Sequence, residues 1–192
     1  RAASVAGVLA LRVASVAFGL LACSSGCVID ELREDDVGDA PACDAASRWP
    51  HDWGSREDAL IEAINDARAA GGMCGDRSLN PAPDLTLAPE LRCASRRHAV
   101  DQAYAGTLDH EGTDDSTTLS RVDLAQYPGV PSFELLAGDF LDPEAVVEAW
   151  LDSPAECLGL LDGSAEELGV GFARSQDGST TAWVLLIGEL RD

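Results

Sequence analysis

The sequence predicts an α+β domain in which helices cover an antiparallel sheet, and three observations predict it. Apolar residues recur at helical spacing in three separate segments, around 57–70, from Pro89 to Gly106, and over 143–152. Two alternating segments, Leu168–Ala173 and Thr181–Ile187, then flank a Gln176-Asp177-Gly178 turn and read as a hairpin. Helices come first and the hairpin last, which is the order of α+β rather than of alternating β-α-β units. Apolar residues make up 46% of the 192 positions, enough for one core, so no second domain is needed.

The chain opens on an apolar leader. Residues 1–22 are small and apolar apart from Arg1 and Arg12, and Val13–Ala22 has the length of a signal-peptide core. Leu20-Leu21-Ala22-Cys23 resembles the bacterial lipobox, where processing cuts before the cysteine and leaves its thiol carrying a diacylglycerol. The alternative is an ordinary cleaved signal with Cys23 as a disulfide partner. Acylation at Cys23 would hold the protein on a membrane without a spanning segment. Residues 23–56 show no period and are rich in Asp, Gly, Ser and Pro, so they read as a solvated acidic tether whose C-terminal part packs on the domain. Trp49 and Trp53 in that stretch mark local docking, and His51 between them carries no signal.

The folded unit is expected over 57–192. Ser55 and Asp58 stand at capping-box spacing before Ala59, Leu60, Ala63, Ile64 and Ala67, giving a helix of 57–70 stopped by Gly71-Gly72. A proline-bearing loop follows. Pro89 then opens a helix whose stripe contains Leu91, Ala94, His98 and Tyr104 and which ends at Gly106. His98 on this helix reads as a packing residue. His110 falls in the polar loop LDHEGTDDST, and Leu119–Ala125 gives one or two helical turns. Pro143 starts a third helix with Val146, Val147 and Trp150 on one face. In the hairpin, Trp183–Ile187 is apolar enough for a central strand.

Lysine is absent, and 13 arginines face 34 acidic residues, for a net charge of −21. With Arg1 and Arg12 in the leader, the remainder is more acidic still. Such a field repels phosphate backbones and anionic lipid surfaces, which excludes nucleic acid as a partner. Solubility and salt tolerance account for the charge.

Five segments, in order, resemble one family. IEAINDARAAGGMCG carries an "N-x-x-R" helix with Asn65 and Arg68, and LAPELRCASRRHAVDQA is similar to "L-x-x-A-A-x-x-H-A-x-D-M-A". LDHEGTDDSTTLSRV is similar to "H-x-G-x-D-G-S-x-x-x-R", and FELLAGDFLDPEAVVEAWLDSPAE to "G-E-N-I-A-x-G … V-V-x-x-W-x-x-S-P-x-H". LGVGFARSQDGSTTAWVLLIGE closes the series. From about Glu57 to Glu189 the chain thus resembles the CAP superfamily of cysteine-rich secretory, antigen 5 and pathogenesis-related proteins, in its bacterial branch. The resemblance implies a three-layer α-β-α sandwich with a shallow central cleft, lined in many members by two histidines and two acids that in some bind a divalent metal. Residue by residue, His110 matches the first histidine and Glu134 the glutamate of the "G-E-N" strand, though its neighbours are Phe133 and Leu135. Ser153 stands where some members carry the second acid, and Glu156 where the second histidine belongs.

One imidazole and two carboxylates form a poor zinc set, since zinc favours at least two nitrogen or sulfur ligands. His110, Glu134 and Glu156 could hold a harder divalent cation weakly, and no cofactor is required. No Ser, Cys or Lys sits in an activating motif, so turnover would have to use His110 as a base oriented by Glu134. Three readings stay open for the cleft: a residual hydrogen-bonded cluster, a weak ligand or cation site, and a hydrolase.

Six cysteines in an exported chain suggest disulfides. The resemblance implies Cys74 with Cys157. Cys93 would then pair with Cys43 or Cys27, with Cys93–Cys157 as the alternative. The expected protein is lipid-anchored in a bacterial envelope, or secreted. It acts by binding a small apolar ligand or an envelope partner, with a hydrolase using His110 and Glu134 as the second hypothesis.

Overall fold

The computed structural model describes residues 31–191. Cys23, Cys27 and the leader lie outside the described residues. The first described stretch is a folded arm. Strand β1 (Leu32–Glu34) pairs antiparallel with β2 (Arg48–Pro50), and a 3-10 turn (Pro41–Cys43) and the short helix α1 (Asp44–Ser47) lie between them. Val37, Ala40, Cys43, Ala46 and Trp49 are buried here. The docking predicted for the two tryptophans is present: their rings meet edge to face at 5.4 Å, and the Arg96 guanidinium lies 4.7 Å over Trp49. From residue 31 onward, therefore, the segment read as a tether belongs to the folded body.

Helix α2 runs His51–Ala70, so it starts at His51 rather than at 57. Pro50 precedes its first turn, and Ser55, read as a cap, lies inside it with its hydroxyl donating to the His51 carbonyl at 2.9 Å. A ribbon of β3 (Gly72–Cys74) and β4 (Arg77–Leu79) follows, then β5 (Thr86–Leu87) and α3 (Pro89–Ala105), which ends on Gly106 in the left-handed region. After α3 come α4 (Thr118–Leu124), β6 (Val130–Gly138), α5 (Pro143–Asp152), α6 (Pro154–Leu160) and the hairpin β7 (Glu167–Arg174)–β8 (Thr181–Glu189).

The main sheet has the order β5-β7-β8-β6, which places β8 internally as its apolar run predicts. The sheet is antiparallel except at its β5 edge, where two residues pair parallel with β7. Helices cover both faces. On one, Leu60 and Ile64 of α2 and Val146, Val147 and Trp150 of α5 pack on Leu135, Leu168, Val170, Phe172, Trp183, Leu185 and Ile187. On the other, α3 lies against β7 so closely that a Cβ at Gly169 would stand 2.1 Å from the Leu91 carbonyl carbon, and one at Gly171 2.4 Å from the Arg96 nitrogen. The glycines of "G-V-G" are thus required by a helix resting on a strand backbone. The result is the three-layer α-β-α sandwich.

Two polar devices fasten the layers. Arg68, fully buried, donates to the carbonyls of Pro83, Leu160 and Asp162 at 2.8–2.9 Å, while Asn65 exchanges hydrogen bonds with the backbone of Leu85. The "N-x-x-R" pattern is therefore a structural clamp on two loops. Glu57, also fully buried, accepts from the Arg96 guanidinium and from the Phe172 amide at 3.0 Å, and Arg96 reaches Asp35 of the arm at 2.6 Å. Burial pushes the Glu57 carboxyl up in pKa against the opposing pull of Arg96. Disulfides Cys43–Cys93 and Cys74–Cys157 complete the bracing. The second is the pair the family resemblance implies; the first selects Cys43 over Cys27 and rules out Cys93–Cys157.

Candidate functional site

The loop after α3 delivers His110, and β6 delivers Glu134. Strand alternation turns Phe133 and Leu135 toward the α2–α5 core and leaves Glu134 on the opposite face, where α4 packs. Helix α4 begins with a capping box between Thr117 and Ser120. Its first turn aims Thr118, and its second Arg121, at Glu134.

The Glu134 side chain is only 4% exposed, and both its oxygens are engaged. Arg121 donates to Oε1 at 2.7 Å; the Thr118 hydroxyl and His110 Nδ1 donate to Oε2 at 3.0 and 2.8 Å. Arg121 is itself buried and ties the loop down, donating to the carbonyls of Ser116 and His110 at 2.8 and 3.0 Å. His110 is 66% exposed, and since Nδ1 carries the proton given to Glu134, Nε2 presents a lone pair. The pair lines a groove of about 380 Å³ with Thr118, Leu119, Ser132 and Phe133.

His110 and Glu134 are thus brought together. Ser153 and Glu156 are not part of the cluster: Ser153 caps the junction of α5 and α6, Glu156 lies in the first turn of α6, and neither lines the groove. Phe133, which replaces the glycine of "G-E-N", lays its ring against Gly159 of α6, where an added Cβ would meet it at 2.7 Å. Among the described residues no three His, Cys, Asp or Glu side chains converge as a metal site. The Arg121 guanidinium, 2.7 Å from the Glu134 carboxylate, also opposes a divalent cation there. The residues present do not fit the family's metal. The cation set of His110, Glu134 and Glu156 expected from the sequence is not assembled.

Arg121 and Thr118 are the members that sequence reasoning passed over. Their signal was Arg121, one residue past the arginine position of "H-x-G-x-D-G-S-x-x-x-R", together with i, i+3 spacing, which puts both side chains on one helix face. His98 plays the packing role expected of it: it is 1% exposed, and Nε2 donates to the Asp109 carbonyl at 2.9 Å. Burial, reinforced by nearby Arg121, holds its imidazole below the ordinary pKa and so neutral.

A helix-covered, disulfide-braced sandwich with a histidine–glutamate groove defines a secretory-type α-β-α domain. A family model described as CAP, the cysteine-rich secretory protein family, matches residues 61–187, and the chain belongs to that family. Among solved structures it is similar to an outer surface protein of Borrelia burgdorferi, with a TM-score of 0.61 and 19% identity over 71% of this chain and 94% of that one. It is also similar to an extracellular SCP-domain protein of Bacillus anthracis (TM-score 0.59, 17% identity, 71% and 41% of the two chains). A cysteine-rich secretory protein of Staphylococcus aureus gives a TM-score of 0.51 and 19% identity over 74% and 40%. The chain matches about two fifths of the length of these last two. At these identities the likeness speaks for the fold. No curated protein matches the sequence.

Proposed function

We propose that this is an exported, lipid-anchored CAP-domain protein that acts by binding, with no turnover in its cleft. The carrying observation is the state of Glu134. Three hydrogen bonds from Arg121, Thr118 and His110 occupy both its oxygens, and the Arg121 charge matches its own, so little of its basicity is left for a water or a metal. Among the groove residues no nucleophile stands in an activating arrangement.

Export is supported by the leader, by two disulfides, and by the surface or extracellular setting printed for two of the similar structures. Anchoring is supported by the lipobox-like Leu20–Cys23. Among the described residues no helix is long and apolar enough to cross a membrane. The ligand class this reading favours is a small apolar molecule or an envelope component, held along the exposed Leu119 side of the groove. The test expresses the whole chain with its leader in a bacterium. Mass spectrometry should find a mature N-terminal peptide starting at diacylated Cys23, and solvent extraction of the purified protein should release a bound molecule. A mature protein with unmodified Cys23 removes the anchor. The second reading, a hydrolase, rests on the open Nε2 of His110; ester or amide hydrolysis abolished by both His110→Ala and Glu134→Ala would replace the binding role.

A further inference from the structure

The His110–Glu134 groove follows an edge of the main sheet and not one of its faces. Its lining takes Pro131, Ser132, Phe133 and Glu134 in succession, and successive strand residues point to opposite faces. A hollow that touches all four therefore runs along the main chain of β6. That strand ends the sheet order β5-β7-β8-β6, with a neighbouring strand on one side only.

Two bonds fix where the main-chain groups of β6 point. The Asp139 N–H, just past the strand, donates to the Thr181 carbonyl of β8 at 3.3 Å. The Leu136 carbonyl instead accepts from Trp150 Nε1 of α5 at 3.0 Å. Directions alternate along an antiparallel pair, so Phe133, Leu135 and Ala137 face β8, while Glu134 and Leu136 face outward. Trp150 closes the edge at Leu136. At Glu134 the N–H and C=O have no hydrogen-bond partner among the described residues. They are also within reach of solvent. Glu134 as a residue is half-buried while its side chain is only 4% exposed, so its contact with water is made by its main chain. An open donor and acceptor on one strand residue are what an added strand takes up.

The surroundings select the strand. A residue set opposite Glu134 puts its side chain on the same face as Glu134. On that face Leu119 is 60% exposed, and the exposed His110 offers the lone pair of Nε2. Asp109 and Glu111, both exposed, flank His110 in the loop, while the Arg121 guanidinium is buried against Glu134. The chain as a whole carries a charge of −21. A long basic side chain suits this rim, with its aliphatic stem on Leu119, an N–H toward His110 and its charge beside the two acids. The same acidity opposes a second copy of this chain at the edge.

We propose that the β6 edge at Glu134 binds an extended, lysine- or arginine-bearing peptide segment of a partner protein by strand addition. This rests on the reading of the groove as a binding site and names the partner it takes. The partner residue opposite Glu134 exchanges two main-chain hydrogen bonds with it, and its basic side chain lies across Leu119 toward His110.

The mature protein, labelled with 15N, is titrated with a capped peptide of alternating lysine and valine. One control carries glutamate for lysine. Another is N-methylated at each lysine, which keeps the side chains but removes the N–H groups that would pair with β6. The lysine peptide should bind saturably, shift the Glu134 amide resonance and slow the exchange of that amide with solvent. N-methylation should weaken binding roughly tenfold, as the loss of one or two hydrogen bonds requires. Leu119→Ala, shown to be folded by circular dichroism, should weaken it about threefold through lost contact with the lysine stem. Binding should also weaken as salt rises from about 0.05 to 0.5 M. The proposal is overturned if the N-methylated or the glutamate peptide binds as tightly, or if the Glu134 amide stays unmoved at saturation. Protection of that amide in the protein alone, rising with protein concentration, would put a second copy at the edge and overturns it as well. Release of an apolar molecule by solvent extraction, with no peptide binding, overturns this proposal and leaves the groove a binding site. A peptide recovered cleaved overturns both.

Discussion

Arg121 is what allows Glu134 to sit with its side chain almost wholly out of water. Removing it leaves a buried carboxylate with only two neutral-type donors, and breaking a buried pair by losing one partner costs about 3–5 kcal/mol. Arg121→Ala should lower the unfolding free energy by that order in urea titration. His110→Ala removes an imidazole that is two-thirds in solvent, and should cost less than about 1 kcal/mol. A loss for His110→Ala as large as that for Arg121→Ala would mean that His110 holds the carboxylate no less than Arg121 does. At this scale the sequence was half legible. The family pattern picked out His110 and Glu134, which do meet at 2.8 Å. It also offered Glu156 as a ligand, because a linear motif records position along the chain and not that Phe133 has filled the space beside Gly159. Arg121 escaped notice because a charged residue on a short polar helix looks solvated until the partner strand is in place.

Helices α3 and α5 and the closing hairpin were readable at the scale of elements: both helices open on a proline, α3 stops at Gly106, and the hairpin's two alternating runs flank a turn. Strand β6 was visible only through the family motif: Pro131 and the adjacent Leu135–Leu136 spoil its alternation, although Phe133, Leu135 and Ala137 do face the core. The start of α2 was misread because Ser55 resembles a cap, whereas its hydroxyl bonds back one turn to His51. What no local pattern could show is that the arm 31–50 is folded, since its anchors are Cys93 and Arg96 on α3. Two outcomes follow. In the chain-entropy model a disulfide closing the 50-residue Cys43–Cys93 separation contributes about 4 kcal/mol, so Cys43→Ala with Cys93→Ala should lose several kcal/mol. It should also expose the arm to limited proteolysis ahead of the sandwich; an arm as resistant as in the wild type would show that the Arg96 ion pairs suffice. Gly169→Ala places a methyl carbon against the α3 backbone and should cost about 1–3 kcal/mol by calorimetry, with a methyl-sized change as its sole chemistry.

For the molecule as a whole the question is how a chain of net charge −21 responds to acid. Protonation relieves repulsion between exposed carboxylates, which favours the folded state as pH falls. At 0.15 M salt, however, charges more than about 8 Å apart are largely screened, while buried groups are not. His98 works in the opposite sense to the relief of repulsion. Burial, reinforced by Arg121, depresses its folded pKa, so its contribution is fully present above the unfolded value of about 6.5 and is lost as pH falls below it. Asp35 follows the same sign further down. Burial acts against its charge, but hydrogen bonds from Arg33 and Arg96 outweigh that and hold it below the ordinary carboxylate value, so its contribution is present above about 3.9 and lost in stronger acid. Glu57 runs the other way, because burial raises its pKa despite Arg96. The individual effect of His98 is therefore read as a difference. His98→Gln retains an amide donor for the Asp109 carbonyl and does not titrate. Between pH 7 and 5 the wild type should lose stability relative to His98→Gln in urea titrations at 0.15 M salt. The difference should persist at higher salt, since the imidazole is only 1% exposed. Parallel profiles for the two proteins across that interval would mean that His98 protonates as readily in the folded chain as in the unfolded one, and that its burial does not oppose its charge.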